Sequence, residues 1–464
     1  MKIFNRYYTV YDFLLLLGDL VSAFLATAIV RAAYYLMNPT IAVDWLPWLG
    51  QGGVMAVLVL VSFYYSDLYV IDEALSPREL IVRLLNGFGI VCVMAGVVCF
   101  LFPALGLRDV YLSEVLLVGL NIFIWRLGCL HLLKIARSHG KILIVGARSI
   151  GKLVAEELCR QKHLGIEVVG FIGSEAGQMT LSYGNPTNIL LPIFPRHSTL
   201  RVVEAKGVNK ILIAESGGDF PAQELVKLRL KGVPFEDCHT FYERLMSKIS
   251  IADLQQEWIA LSEGFRRTHW ILFSKRLVDM IVSAVGLILS APLALLTAIA
   301  IKLDSRGPVF YRQDRTGQDE RTFTLYKFRS MFQDAEAGTG PIWATENDPR
   351  VTRVGRIIRK LRIDEIPQMI NVLKGEMSFV GPRPERPFFV SALKEKVPYY
   401  HLRFAVKPGI TGWAQVCYPY GDSEEDAIEK LQYELYYVKH HSPIFDLQII
   451  FETFKIIILG RGSR

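Results

Sequence analysis

Cysteine is scarce in this chain. The six cysteines are Cys92, Cys99, Cys129, Cys159, Cys238 and Cys417. None forms a Cys-x-x-Cys pair or a Cys/His cluster with zinc spacing, which excludes a disulfide framework and a structural zinc site. Three lie in apolar runs, where cysteine serves as a small buried hydrophobe. No secretory signal stands out: the first apolar run is longer than a signal core and lacks a persuasive cleavage site, so it is expected to stay attached as a membrane span. Charge is also modest, at 21% of residues against 51% hydrophobic, an apolar balance for a soluble chain of 464 residues. The net charge of +7 admits nucleic acid, anionic lipid or a phosphorylated ligand as partner until the basic residues are located.

Long apolar runs are what the chain has instead. Four fill its first third, at Tyr11–Met37, Trp48–Tyr65, Leu80–Leu105 and Tyr111–Leu133. Each is long enough to cross about 30 Å of hydrocarbon as a helix. Asp19 lies inside the first run and is expected to face another helix. Lys2 and Arg6 precede the bundle, Lys134, Arg137 and Lys141 follow it, and the loop at Pro39–Leu46 has no basic residue. Both ends of the bundle are therefore predicted to be cytoplasmic.

A second region begins near residue 139. Lys141–Gly146, Ile166–Ile172, Lys210–Ala214 and Val233–Asp237 read as strands, with helices over Ser149–Gln161 and Ala222–Lys231. This alternation predicts a Rossmann-like parallel sheet. A dinucleotide fingerprint needs a second glycine where Arg148 stands and an acid at the end of the second strand, whereas the nearest acid is Glu175. A structural or regulatory domain fits better than a cofactor domain, and a linker is expected up to about Thr268.

A fifth apolar run spans Leu277–Leu303 and is interrupted at Ser290-Ala291-Pro292. Basic residues flank both sides, with Lys275 and Arg276 before it and Lys302, Arg306 and Arg312 after. That pattern suits both ends in the cytoplasm. Pro292 removes a backbone donor and favours a bend, so a re-entrant helix is predicted, with Ser290 able to bond the carbonyl that the proline frees. A kinked span is the alternative. The polar remainder is expected to form a compact α-rich or α+β domain on the cytoplasmic face. It closes with two amphipathic helices, Ser423–His440 and Pro443–Leu459, whose Tyr433, Tyr436 and Tyr437 suit either a membrane interface or a core.

Residues 350–384 carry the densest chemistry. Arginine recurs at every third position, at 350, 353, 356, 359 and 362. A step of three turns a helix by about 300°, so the five fan outward and cannot all reach one site. Apolar positions 363, 366, 369, 370 and 373 form a helical stripe, and Pro367 is tolerable only near a helix start. Asp364 and Glu365 are thus predicted at or just before a helix N-terminus, where the dipole favours anions. A carboxylate pair among arginines suits phosphate and Mg²⁺. A capping aspartate followed by a solvated glutamate explains the spacing equally well. Gly381-Pro382-Arg383-Pro384 stiffens the backbone around one arginine fork. Lys327 and Arg329 stand beside aromatics, and Lys407–Trp413 is a glycine-rich turn.

The segment Lys275–Gln415 resembles the catalytic domain of the bacterial polyprenyl-phosphate sugar-phosphate transferases. The matching stretches, in order, are KRLVDM, GPVFYRQ, LYKFRSM, IDEIPQMINVLKGEMSFVGPRPE and KPGITGWAQ. With its four spans and Rossmann-like domain, the chain resembles the large, dimer-forming branch, and its ending resembles exopolysaccharide-associated members. The resemblance implies transfer of a sugar 1-phosphate from a UDP-sugar to undecaprenyl phosphate at the inner membrane. It implies Asp364 as nucleophile and Mg²⁺ ligand, Glu365 assisting proton transfer, and Lys327, Arg359 and Arg383 neutralising phosphates; Arg329, a cation beside aromatics, is a further candidate for phosphate or substrate binding. The implied partners are the two substrates, membrane lipid and a second copy of the chain, with no nucleic acid. The expected organisation is a four-span bundle over 1–138, a Rossmann-like domain over 139–268, and a re-entrant helix with catalytic domain over 269–464. Two departures stand out: Ala291 precedes Pro292 where relatives have serine, and Cys417-Tyr418-Pro419-Tyr420 replaces an Asn-Gly-Arg-like turn. A membrane-anchored NAD-dependent nucleotide-sugar dehydratase is a rival, but it needs a Tyr-x-x-x-Lys pair that the chain lacks. A non-catalytic assembly scaffold is a second rival, disfavoured by the intact acids and arginines.

Overall fold

A computed structural model describes residues 2–3, 6–7, 10–38, 45–66, 68–69, 77–101, 111–135, 140–146, 149–161, 165–183, 187–214, 222–251, 254, 256–262, 264–265, 268–333, 335, 348–418 and 423–458. The chain divides into two compact units, with the main boundary between Cys238 and His239.

Two short strands, β1 (Lys2–Ile3) and β2 (Arg6–Tyr7), precede the four long helices of the first unit: α1 (Val10–Met37), α2 (Trp45–Tyr65), α3 (Pro77–Leu101) and α4 (Tyr111–Ile135). These coincide closely with the four predicted apolar runs. Small residues let the helices approach: the Trp125 ring lies where a side chain on Gly18 would point, 1.9 Å from an added Cβ. Ala23, Val59, Phe63, Val118 and Ile122 fill the bundle core. Asp19 faces α4, as expected, and binds the Arg126 guanidinium at 2.5 Å, while Arg126 also donates to Leu68 O at 2.7 Å. Among the described residues, three helical stretches are long and apolar enough to cross a membrane: Leu14–Met37, Ile81–Leu101 and His269–Asp304.

The same unit contains a six-stranded sheet in the order β5-β6-β4-β3-β7-β8. Its strands are β3 (Gly140–Val145), β4 (Ile166–Gly173), β5 (Gly177–Tyr183), β6 (Thr187–Pro195), β7 (Lys210–Ile213) and β8 (Phe235–Asp237). All neighbours are parallel except the β5/β6 pair. Helices α5 (Ser149–Arg160), α6 (Thr199–Lys206) and α7 (Ala222–Leu230) connect strands. The mixed α/β domain expected from the sequence is present, enlarged by β5, β6 and α6. Gly151 sits where α5 meets the sheet, with an added Cβ only 3.0 Å from Ala214 and 3.1 Å from Ile144. Arg148, at the turn lacking the fingerprint glycine, lies outside the described residues.

The second unit takes up the stretch that reads from sequence as a linker. Helices α8 (Cys238–Met246) and α9 (Gln256–Leu261) open it. Ile249 and Leu254 are buried in a core with Val380, Trp413, Leu435, Tyr436 and Phe445. Helix α10 (His269–Asp304) follows and is continuous for 36 residues through Pro292. An antiparallel hairpin, β9 (Phe310–Thr316) with β10 (Thr322–Phe328), leads to α11 (Arg353–Lys360) and α12 (Gln368–Lys374). Strand β11 (Ser378–Val380) pairs in parallel with β12 (Gly409–Thr411), separated in sequence by α13 (Pro387–Lys396). Helices α14 (Trp413–Cys417), α15 (Glu424–His440) and α16 (Pro443–Ile458) complete the unit. Tyr436 and Tyr437 are each 1% exposed, so core packing accounts for them. A capping box between Ser423 and Asp426 starts α15.

Two details of α10 depart from the sequence expectation. The carbonyl that Pro292 leaves without its helical donor is that of Ile288, yet the Ser290 hydroxyl lies against Leu287 O at 3.4 Å. Ser290 therefore does not satisfy the freed carbonyl. Charges near the start of α10, moreover, face the domain: Lys275 donates to Val380 O at 3.0 Å and Asp446 at 2.6 Å. Asp279 accepts from the Ser378 hydroxyl at 3.0 Å and Phe379 N–H at 2.9 Å. Arg276 donates to the carbonyls of Val372 and Leu373, at 2.6 and 2.8 Å, and caps α12. At the far end, Asp304 accepts from Val354 N–H at 3.0 Å and caps α11. Both ends of α10 are thus tied to the same unit, while Ile288, Leu289, Leu293, Leu295 and Leu296 between them are exposed.

Candidate active site

The predicted helix over residues 350–362 is shorter than the arginine series. Thr352 caps α11 by accepting from Gly355 N–H at 2.9 Å, and the helix ends at Lys360. Arg350 lies before it, bound to Asp348 at 2.5 Å. Arg353 and Arg356 are exposed. Arg362 leaves the helix with φ +57°, a left-handed conformation strained for a residue with a side chain. That reversal starts a 3₁₀ turn over Ile363–Glu365, and Pro367 then caps α12. Asp364 and Glu365 therefore stand just before a helix start, as the position of the proline predicts.

Both acids are 7% exposed, but their surroundings differ. Glu365 meets the Lys327 ammonium at 3.1 Å, the Arg383 guanidinium at 3.1 Å and the Arg362 guanidinium at 3.6 Å. Burial disfavours its charge, yet Lys327, Arg383 and Arg362 together hold its carboxyl well below the usual range. Asp364 accepts no hydrogen bond from the described residues, and its nearest cation is Lys327 at 4.0 Å. Burial pushes its carboxyl up, opposed chiefly by Lys327 and reinforced by the adjoining Glu365 charge. Arg359 and Arg383 contribute further positive potential there. Burial pushes the Lys327 ammonium down, against the attraction of the two acids. Four cations (Lys327, Arg359, Arg362 and Arg383) against two carboxylates leave a positive surplus.

Lys327 owes its place to Asn371. This fully buried amide accepts from Tyr326 N–H at 3.1 Å and donates to Thr324 O at 2.8 Å, joining β10 to α12. Arg383 owes its place to a backbone crossing. A Cβ on Gly381 would lie 2.3 Å from Lys407 O, one on Gly409 would lie 2.1 Å from Gly381 N, and one on Gly412 would lie 2.1 Å from Gly381 O. Only residues without side chains let the two motifs meet. Arg329 stands apart from this cluster, contrary to its assignment as a phosphate ligand. Its guanidinium donates to Ser305 O at 2.8 Å and Arg306 O at 2.9 Å. It therefore fixes the exit from α10. Lys275 and Arg276 were legible only as basic flanks of the apolar run, not as ties to the domain. Asn371, Arg315 and Arg403 carried no local signal of their contacts.

A long apolar helix bearing a small α+β domain with a strongly ionic centre defines a membrane-associated protein. Residues 270–460 match the family described as bacterial sugar transferase. The "Exopolysaccharide production protein PSS" of Rhizobium leguminosarum bv. phaseoli is 42% identical over 187 residues, covering 39% of this chain and 94% of that protein. The chain therefore belongs to the bacterial sugar transferase family. The "UDP-N-acetylgalactosamine-undecaprenyl-phosphate N-acetylgalactosaminephosphotransferase" of Aeromonas hydrophila is 40% identical over 240 residues, covering 52% of this chain and 56% of that protein. The "Undecaprenyl-phosphate glucose phosphotransferase" of Komagataeibacter xylinus is 42% identical over 233 residues, covering 49% and 42% respectively. The chain spans about half the length of these two relatives.

Proposed function

We propose that this chain transfers a sugar 1-phosphate from a UDP-sugar to undecaprenyl phosphate, releasing UMP, as the first membrane step of exopolysaccharide or related glycan synthesis. The observation that carries this reading is the contrast between two adjacent buried acids. Glu365 is saturated by cations, whereas Asp364 accepts no hydrogen bond from the described residues and faces their surplus charge.

In this mechanism an Asp364 oxygen attacks the β-phosphorus, the bond from that phosphorus to the UMP oxygen breaks, and UMP departs. A phosphate oxygen of undecaprenyl phosphate then attacks the same phosphorus, displacing the Asp364 carboxylate and forming the lipid diphosphosugar. Splitting the transfer this way predicts ping-pong kinetics. Lys327, Arg359 and Arg383 offset charge on the phosphates. Glu365 is held too firmly ionised to serve well as a base, so its role shifts from proton transfer toward orienting Lys327 and Arg383. The donor set also fits Mg²⁺, which takes one or two carboxylates and fills its remaining positions with water and substrate phosphate. Asp364 is the residue that would hold it, and the bound ion would supply further neutralisation of the diphosphate.

The remaining organisation follows the same reading. The four helices of the first unit form a membrane bundle over 1–138 and the Rossmann-like domain that follows, to Cys238, is structural or regulatory; residues 239–268, expected within that domain, pack instead in the unit that carries the transferase part over 269–464. Helix α10 is re-entrant, a reading favoured by the attachment of both its ends to one domain and the exposure of its apolar middle. The catalytic domain then lies on the cytoplasmic face of the bacterial inner membrane, and the chain works as a homodimer. The test is UMP release by purified protein with Mg²⁺, undecaprenyl phosphate and a panel of UDP-sugars that includes UDP-glucose, UDP-galactose and UDP-N-acetylgalactosamine. At least one sugar should support Mg²⁺-dependent release of about one equivalent of UMP per enzyme without lipid phosphate, and sustained turnover only when lipid phosphate is present. Release from none of them would overturn the proposal.

A further inference from the structure

The turn that presents Arg383 is held at four consecutive carbonyls. Pro382 O accepts from Gly409 N–H at 2.8 Å and Glu385 O from Thr316 N–H at 2.9 Å. Between them, Arg383 O accepts from the Arg403 guanidinium at 2.8 Å and Pro384 O from the Arg315 guanidinium at 3.1 Å. Backbone partners hold the outer two, and side chains hold the inner two, Arg403 buried and Arg315 half-buried. Arg403 is 4% exposed and is itself fixed from behind. It donates to the Glu434 carboxylate of α15 at 2.8 Å and to the Tyr400 hydroxyl, and its guanidinium lies 4.9 Å from the Tyr400 ring centre. Glu434 is 5% exposed, so the pair is enclosed within the domain.

Enclosure of an ion pair is weak support for stability, because desolvation offsets much of the attraction. The arrangement does have a geometric effect. The carbonyl that Arg403 grips belongs to the residue whose side chain reaches Glu365 at 3.1 Å. Both bonds come from the Nη2 nitrogen, whose two N–H groups point in fixed directions within the guanidinium plane, while Nη1 is held by Tyr400; gripping Glu434 and Arg383 O in this way fixes the distance between α15 and the turn.

We infer that Arg403, locked by Glu434, is a positioning residue that sets the reach of Arg383 toward the transferred phosphate. The α15 helix is thereby made part of the substrate-binding frame. The inference rests on the proposed reaction and adds to it a dependence on a residue that touches neither substrate nor reacting atoms. Its signature is non-additivity, since Arg403 acts through Arg383.

The experiment is a double-mutant cycle on the full-length protein in detergent, reading initial UMP release at varied UDP-sugar. Arg383→Ala alone is expected to lower kcat/KM by 100-fold or more. An unchanged value there would refute the phosphate role of Arg383, and the proposed reaction would lose that part. Arg403→Lys keeps the charge but loses the fork, and is expected to lower kcat/KM at least 10-fold. In the Arg383→Ala background the same change should cost less than 2-fold. Additive losses, or an Arg403→Lys enzyme with wild-type kcat/KM, would overturn the inference while leaving the reaction standing. Should Arg403→Lys fold poorly, Glu434→Gln keeps an acceptor for the fork and provides the second test. It is expected to give a smaller loss that also vanishes without Arg383, and a loss that persists there would count against the inference.

Discussion

Asp364 and Glu365 are neighbours of equal burial, and the structure predicts opposite consequences when each is replaced by its amide. Asp364→Asn removes a carboxylate that accepts no hydrogen bond from the described residues and lies 4.0 Å from its nearest cation. Little native interaction is lost, and the desolvation that pushes this carboxyl up is relieved, so the thermal midpoint should stay level or rise slightly. Activity should fall by about 10⁴-fold or more, or about 5.5 kcal/mol of barrier, because an amide is not a nucleophile. Glu365→Gln instead strips the shared anion from three cations within 3.6 Å. These cations keep 20%, 37% and 33% side-chain exposure and can recover water, so the cost is about 1–3 kcal/mol, which lowers the midpoint of a unit this size by roughly 2–12 °C. The assays are UMP release and a thermal melt on the same preparations. Full UMP release by Asp364→Asn would refute the assignment of the nucleophile. A midpoint falling equally in both variants would refute the division of labour between the acids.

Four further outcomes follow from the structure. Because Asp364 must be ionised to attack and its carboxyl is pushed up, the acid limb of kcat/KM should lie above the ordinary aspartate range. Lys327→Met, which removes the main opposing cation, should move that limb to higher pH, and Glu365→Gln, which removes a like charge, should move it lower. Stability has the opposite sense for Glu365. Its lowered carboxyl pKa contributes stability above the unfolded value of 4.5, lost as pH falls through the folded value, and an acid melt of wild type against Glu365→Gln checks this. Lys275→Met strands Asp446, which the lysine meets at 2.6 Å, and should destabilise the unit by about 3–5 kcal/mol as read by limited proteolysis. Finally, Thr268→Cys and Arg312→Cys, in a background without the native cysteines, should both react with an impermeant thiol reagent from the cytoplasmic side only. Leu289→Cys should be shielded by lipid. Labelling of the first two from opposite sides would exclude a re-entrant α10.

Much of this was legible where a local rule decides the outcome. Apolar length alone located α1 to α4 within a few residues, and Pro367 alone placed the two acids before a helix start. The sheet was read only where its strands are buried parallel runs. Strands β5 and β6 escaped because Gly177–Thr180 is largely exposed and Thr187–Pro195 contains Pro192 and Pro195, so neither shows a continuous apolar core. Arg329 looked like a phosphate ligand because its neighbours in sequence are cationic and aromatic. Its partners, Ser305 and Arg306, are more than twenty residues away. Arg315, Asn371 and Arg403 escaped for the same reason: the carbonyls they bond are 45 residues away or more for Arg315 and Asn371 and 20 for Arg403, so spacing gives no hint of them.

The meeting of Gly381, Gly409 and Gly412 bears on how damage would spread through this domain. Side chains that crowd one another can often be relieved by trimming a neighbour, so a second substitution can rescue a first. Here the atoms that would be struck are Lys407 O, Gly381 N and Gly381 O, all of them main chain. Nothing at the crossing can be shortened. A methyl group added at any of the three must separate the strands themselves, carrying Arg383 away from Glu365, and no compensating substitution nearby restores the spacing. Suppressors of such changes should therefore be rare and distant, and function should be lost in a single step.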